Sequence, residues 1–139
     1  MKTKLYKISP EEKQQIILRL GELLKAREDV LFAYVFGSFA EGLPFHDIDA
    51  GIYLGGEVQE TASLLALELS HRISEELNMP VDVRVVNIAP VPFRYQVIRG
   101  RLLFATDEDL HTQFVERTVQ SYLDIEPLLR RGMKEAFAA

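Results

Sequence analysis

Residues 30–54 read VLFAYVFGSFAEGLPFHDIDAGIYL, and two different hydrophobic rhythms within that stretch decide the fold. Val30 to Phe36 is a continuous apolar run, rich in aromatic and β-branched residues and closed by Gly37, as expected of a strand covered on both faces. Asp47 to Leu54 alternates instead. Ile48, Ala50, Ile52 and Leu54 fall on one face, and Asp47, Asp49, Gly51 and Tyr53 on the other, the pattern of a half-buried strand. Gly37-Ser38 ends the first strand, and Phe39 to Gly42 can open a helical turn before the second.

Upstream, Ser9-Pro10-Glu11-Glu12 carries a cap, a proline suited to the first helical position and a capping-box carboxylate. Ile16, Leu20, Leu23 and Leu24 then form one helical stripe that ends by about Arg27. Downstream of the Gly55-Gly56 turn, Leu64, Leu65, Leu67, Leu69, Ile73 and Leu77 supply the apolar face of a long helix that stops before Asn78-Met79-Pro80. Val81 to Asn87 predicts a third strand, with Val81, Val83 and Val85 inward and Asp82 and Arg84 opposite. A short helix from Pro90 through Ile98, an edge strand over Arg101 to Ala105 and a last helix capped at Thr106 to Asp109 complete the chain. That helix carries Leu110, Phe114, Val115, Val119 and Tyr122, with Pro127 expected to break or kink it and the tail after Arg131 expected to fray. The fold class is therefore α/β (α+β): a small mixed sheet of three to four strands flanked by helices.

The whole of residues 1–139 is expected to be one domain, since 139 residues leave no room for a second core. With 16 Lys and Arg against 21 Asp and Glu, the net charge of −5 argues against nucleic acid as a direct partner, which needs a clustered basic surface. The absence of cysteine excludes disulfides, thiolate metal sites and cysteine nucleophiles. No apolar run approaches the length of a signal peptide core or a membrane span, so a cytoplasmic protein is expected.

Chemistry concentrates at three acids. Asp47 and Asp49, two apart on a strand, project from one face, and Asp82 occupies the outward face of another strand. Three converging carboxylates repel one another, whereas Mg2+, with its preference for oxygen, makes such a cluster favourable. The Gly37-Ser38 turn lets backbone and hydroxyl approach a phosphate oxygen closely. An anion site next to a cation site is what triphosphate chemistry requires. A Gly-Ser pair or a D-x-D alone is common in loops and on exposed strands; their order along this chain is what gives them weight.

Other residues carry less. His46, beside Asp47, is a candidate base but reads more simply as a solvated loop residue. His71 and His111 lack ligand spacing and read as surface residues, and Arg84, on the strand face of Asp82, fits either a phosphate contact or a counter-charge to the carboxylates. Gly55-Gly56 makes a turn rather than a phosphate loop.

Gly37-Ser38, eight residues, Asp47-Ile48-Asp49 and the later Asp82 resemble the minimal nucleotidyltransferase (MNT) branch of the polymerase-beta-like nucleotidyltransferase superfamily. Val97-Ile98-Arg99-Gly100-Arg101-Leu102-Leu103-Phe104, Asp107-Glu108-Asp109 and Tyr122-Leu123-Asp124-Ile125-Glu126-Pro127 resemble the C-terminal part of the MNT antitoxins that pair with HEPN toxins. The resemblance implies that Asp47 and Asp49 bind the metals holding the triphosphate of ATP. It implies Asp82 as third ligand and activator of the acceptor hydroxyl, and Gly37 and Ser38 as holders of the outer phosphates. The implied reaction is Mg2+-dependent transfer of AMP from ATP to a tyrosine of a HEPN-type toxin, silencing it, within a homo- or hetero-oligomer. The loop before Asp47 is shorter than is usual in that family, and Glu41 stands where arginine is common. Two other functions stay open on the sequence: an antitoxin that neutralises its partner by binding alone, and transfer to a small molecule such as an aminoglycoside with a partner subunit.

Overall fold

The computed structural model describes residues 4–56 and 60–136. Ser9 opens helix α1 (Pro10–Lys25) with a full capping box: its hydroxyl accepts from the Glu12 amide while the Glu12 carboxylate accepts from the Ser9 amide. Such a cap contributes about 1 kcal/mol. The buried stripe of α1 is Ile17, Leu20 and Leu24; Ile16 and Leu23, expected within it, lie at its margins, partly buried.

Strand β1 (Val30–Phe36) leads through the one-turn helix α2 (Gly37–Ala40) to β2 (Ile48–Leu54). Helix α3 (Ala62–Leu77) then crosses to β3 (Val81–Val85), and α4 (Val91–Ile98) precedes β4 (Arg101–Ala105) and the long α5 (Glu108–Ala136). The four strands form one mixed sheet in the order β3-β2-β1-β4, with β2 and β3 parallel and the other pairs antiparallel. Among the described residues the only parallel pair, β2 and β3, is the one joined by the 16-residue α3, because parallel strands need a crossover long enough to return the chain to the same end of the sheet. As expected, β4 lies at an edge.

Helices α1 and α3 cover one sheet face, around Leu20, Leu24, Ile48, Ile52, Leu69 and Ile73. Helices α4 and α5 cover the other, around Phe32, Tyr34, Phe36, Val97 and Phe114. This second layer corrects the half-buried reading of β2: Gly51 is buried, and Tyr53 stacks on Phe32 with ring centroids 5.0 Å apart. Alternation marked the polar acids but could not reveal the helices that cover the same face farther along.

Two further expectations change. On α3, Ala66, Leu69 and Ile73 are buried, whereas Leu64 and Leu67 are exposed at 57% and 67%. A run so rich in leucine fits more than one helical stripe, and only the position of β3 selects among them. Pro127 does not break α5, which continues to Ala136; of the tail expected to fray after Arg131, residues 132–136 are helical and 137–139 lie outside the described residues.

At the outer edge of β3, α3 itself supplies hydrogen bonds. The Val81 amide donates to the Ser74 hydroxyl and the Val83 amide to the Ser70 hydroxyl, both at 2.8 Å. The strand edge is thereby partly closed against pairing with another chain.

His111, read from sequence as a surface residue, is half-buried beneath the sheet, its Nε2 2.7 Å from the Tyr34 hydroxyl and its ring edge-on to Phe32. Both groups remain neutral when the phenol donates to Nε2 of the Nδ1–H tautomer. Desolvation lowers the His111 pKa and raises that of Tyr34. The unfolded chain therefore binds the histidine proton more tightly and releases the phenol proton more readily. Stability is expected to be full between about pH 6.5 and 10, to fall as pH drops below 6.5, and to fall again above 10. Urea titrations across that range check this. A His111→Gln variant should flatten the acid limb, and an unchanged slope would exclude His111 as its source.

Candidate active site

The last residue of β1, Phe36, pairs with Asp49, and Asp49 pairs in turn with Asp82 on the parallel neighbour β3. Paired residues of adjacent strands share a face, so both carboxylates emerge on the α4 side of the sheet, about 5 Å apart at their backbones. Two ionised carboxylates at that spacing repel by roughly 3 kcal/mol at an effective dielectric of about 20. Asp47 stands one residue before β2 and is partly buried. The sequence reading placed it in the strand; it lies instead at the end of the loop feeding the strand.

Gly37 fixes the entrance. Its φ is +76°, and a Cβ there would lie 2.7 Å from the Asp49 Oδ2. Only glycine allows this turn and this approach together. Ser38 follows in α2, and its carbonyl accepts from the Leu43 amide at 3.0 Å, drawing the loop back under the helix. Lys13 of α1 donates from Nζ to the Ala40 carbonyl at 2.7 Å, placing a cation at the C-terminal end of α2. Gly100 supports the turn from below: a Cβ there would come within 2.2 Å of the Val35 carbonyl oxygen.

Arg84 meets Asp82 at 3.2 Å and lies over the Phe93 ring, 5.6 Å from its centroid. Of the two roles open to it from sequence, the counter-charge is thus in place. With Arg84 59% exposed, such a pair contributes at most about 1 kcal/mol, so a divalent cation can displace it. Among the described residues no three His, Asp or Glu side chains gather into a metal cage. Mg2+ does not require one, because it binds through one or two carboxylates, waters and substrate phosphates. The oxygen donors of Asp49 and Asp82, in register on one face, fit that chemistry. His46 is not directed to base chemistry: its Nδ1 lies 2.7 Å from the Lys4 carbonyl oxygen, and the ring is exposed.

A cleft of about 460 Å3 opens from Gly37 between α2 and the α4–α5 layer. Tyr95 of α4 and Tyr122 of α5 stack there with centroids 3.7 Å apart and planes 3° from parallel. Arg99 lies over the Tyr95 ring, 5.7 Å from its centroid, and Arg101 and Glu41 also line the cleft. The sequence places Tyr122 with the apolar residues of the last helix and assigns no role to the two arginines. The available signal was Arg99-Gly100-Arg101, a glycine flanked by cations at the junction of a helix and an edge strand.

Among the described residues no helix is long and apolar enough to cross a membrane. No curated protein matches the chain by sequence. Solved structures match its fold along most of its length. One is a chain from the tri-AMPylated Shewanella oneidensis HEPN toxin in complex with MNT antitoxin, at 19% identity and a TM-score of 0.70, covering 91% of this chain and 99% of that one. Another is from the toxin–antitoxin MntA–HepT, at 18% identity and a TM-score of 0.68, covering 91% and 99%. A third is from a toxin–antitoxin with AMP-PNP, at 21% identity and a TM-score of 0.66, covering 94% and 100%. The profile of the family described as "Polymerase beta, Nucleotidyltransferase" matches residues 19–109, a span that runs from α1 to the start of α5 and contains Gly37, Ser38 and all three acids. On that match, the chain belongs to the polymerase beta nucleotidyltransferase family.

Proposed function

We propose that this protein transfers AMP from ATP to a tyrosine hydroxyl of a HEPN-type toxin and so acts as its antitoxin. The observation that carries the reading is the register of Asp49 with Asp82 beside the left-handed turn at Gly37. Membership of the nucleotidyltransferase family supports the reaction class. The partner class is supported by the toxin complexes in which structures of this fold are found. ATP as donor is supported by the similar structure with AMP-PNP. Leu129 and Met133, exposed and one turn apart on α5, leave an apolar helix surface suited to contact with another chain.

In this reading the acceptor oxygen attacks the α-phosphorus, a phosphorus–oxygen bond forms, and the bond to the β-phosphate breaks to release pyrophosphate. Asp82 receives the hydroxyl proton, while Gly37 and Ser38 hold the outer phosphates in line. Mg2+ held by Asp49 and Asp82, with Asp47 as the further ligand that the family resemblance implies, would supply positive charge against the triphosphate and lower the pKa of the attacking hydroxyl.

Incubation with Mg2+, ATP and a HEPN-type toxin, followed by mass spectrometry of the toxin, tests the proposal. AMP increments on a toxin tyrosine are expected. A stable complex with an unmodified toxin would instead identify an antitoxin that acts by binding alone.

A further inference from the structure

We infer that the cleft between α2 and α4 receives the β- and γ-phosphates of the nucleotide, with Arg99 as their principal cation. This rests on the reading of the acids as a nucleotide site. The cleft begins at Gly37, against the Asp49 carboxylate, so a triphosphate whose α-phosphate lies at the acids can extend directly into it. Its 460 Å3 is ample for a polyphosphate chain.

The walls favour phosphate over a nucleobase. Tyr122 closes one face of Tyr95 and the Arg99 guanidinium lies over the same ring, 5.7 Å from its centroid, so this ring is already engaged and is a poor platform for a base to stack on. Arg99 and Arg101 bring positive charge and Glu41 opposes it, leaving an excess of one cation in the lining. The two arginines are not equivalent. Arg101 donates to the Gln14 side-chain Oε1 at 3.3 Å, on the α1 side of the sheet. Arg99 rests on a ring that is itself stacked on α5, which restricts the guanidinium before any ligand arrives and leaves its N–H edge for an anion.

The test is calorimetric titration of the full-length protein, in Mg2+, with AMP-PNP, AMP and pyrophosphate as separate probes. Arg99→Ala is expected to weaken AMP-PNP and pyrophosphate by about tenfold or more while changing AMP by less than about twofold. Arg99→Lys should recover part of the loss, and Glu41→Gln should tighten pyrophosphate. Arg99 is exposed, so the melting temperature should not move. Equal losses for AMP and AMP-PNP, or no loss for either, would overturn the assignment of Arg99 alone. Failure of the unmodified protein to bind any of the three probes would overturn the nucleotide reading, and this inference with it.

Discussion

Asp49→Asn is expected to lower nucleotidyl transfer by on the order of 10²–10³ while the melting temperature stays within a few degrees, a separation that distinguishes chemistry from folding. The substitution keeps size and shape but removes a charge from the pair that Asp49 makes with Asp82 across β2 and β3. Losing one group aimed at transition-state charge typically costs a factor of that size. Initial rates at saturating ATP and Mg2+, with a thermal melt alongside, decide the matter. Activity within threefold of the unmodified protein would remove Asp49 from the catalytic machinery. Capture of a toxin by this variant should survive, because the substitution leaves the exposed face of α5 untouched.

Gly37→Ala acts on the same site through the backbone. At φ +76° an L side chain is strained by roughly 1–2 kcal/mol, and here the added methyl would also stand 2.7 Å from the Asp49 carboxylate. Either the turn opens or Asp49 moves, and a displacement of about 1 Å at a reacting centre can cost about a hundredfold. Activity is therefore expected to fall by about 10², with a melting temperature lower by several degrees. Gly42→Ala provides the comparison: it shares the positive φ, +77°, but a Cβ there would meet nothing nearer than the Lys13 ammonium at 3.8 Å. Similar strain without the carboxylate contact should reduce stability far more than activity.

Much of this site was legible because its signals are local. The apolar run over Val30–Phe36, the glycine that closes it and the alternation through Leu54 each reflect a backbone period of two or a single forced dihedral. The capping box at Ser9 is equally local. What the sequence could not reveal depends on pairing between distant segments. Asp82 was recognisable as an outward-facing acid, but its alignment opposite Asp49 is set by the parallel register of β3 on β2, which the α3 crossover determines. The stacking of Tyr95 on Tyr122 joins residues from separate helices and leaves no periodic trace. His111 looked like a solvent residue because one polar side chain says nothing of the phenol that meets it across the sheet.

Pro127 shows the limit of a local rule from the other side. Proline removes one amide donor and crowds the preceding turn, which ordinarily costs about 3 kcal/mol in a helix interior. Here α5 runs from Glu108 to Ala136, and Pro127 lies in its exposed distal part, beyond the buried Phe114 and Thr118. Open surroundings allow the helix to adjust about the proline without disturbing the core.

The most direct measurement follows the label from ATP carrying radioactive phosphorus at either the α or the γ position, in the presence of Mg2+ and a HEPN-type toxin. Nucleotidyl transfer keeps the α-phosphorus and releases the γ-phosphorus in pyrophosphate. The toxin should therefore become labelled from α-labelled ATP and not from γ-labelled ATP, and Asp49→Asn should abolish the signal. Labelling from the γ position would mean phosphoryl transfer, and no labelling from either, with toxin bound and silenced, would mean neutralisation without chemistry; each result contradicts nucleotidyl transfer at the Asp49–Asp82 pair.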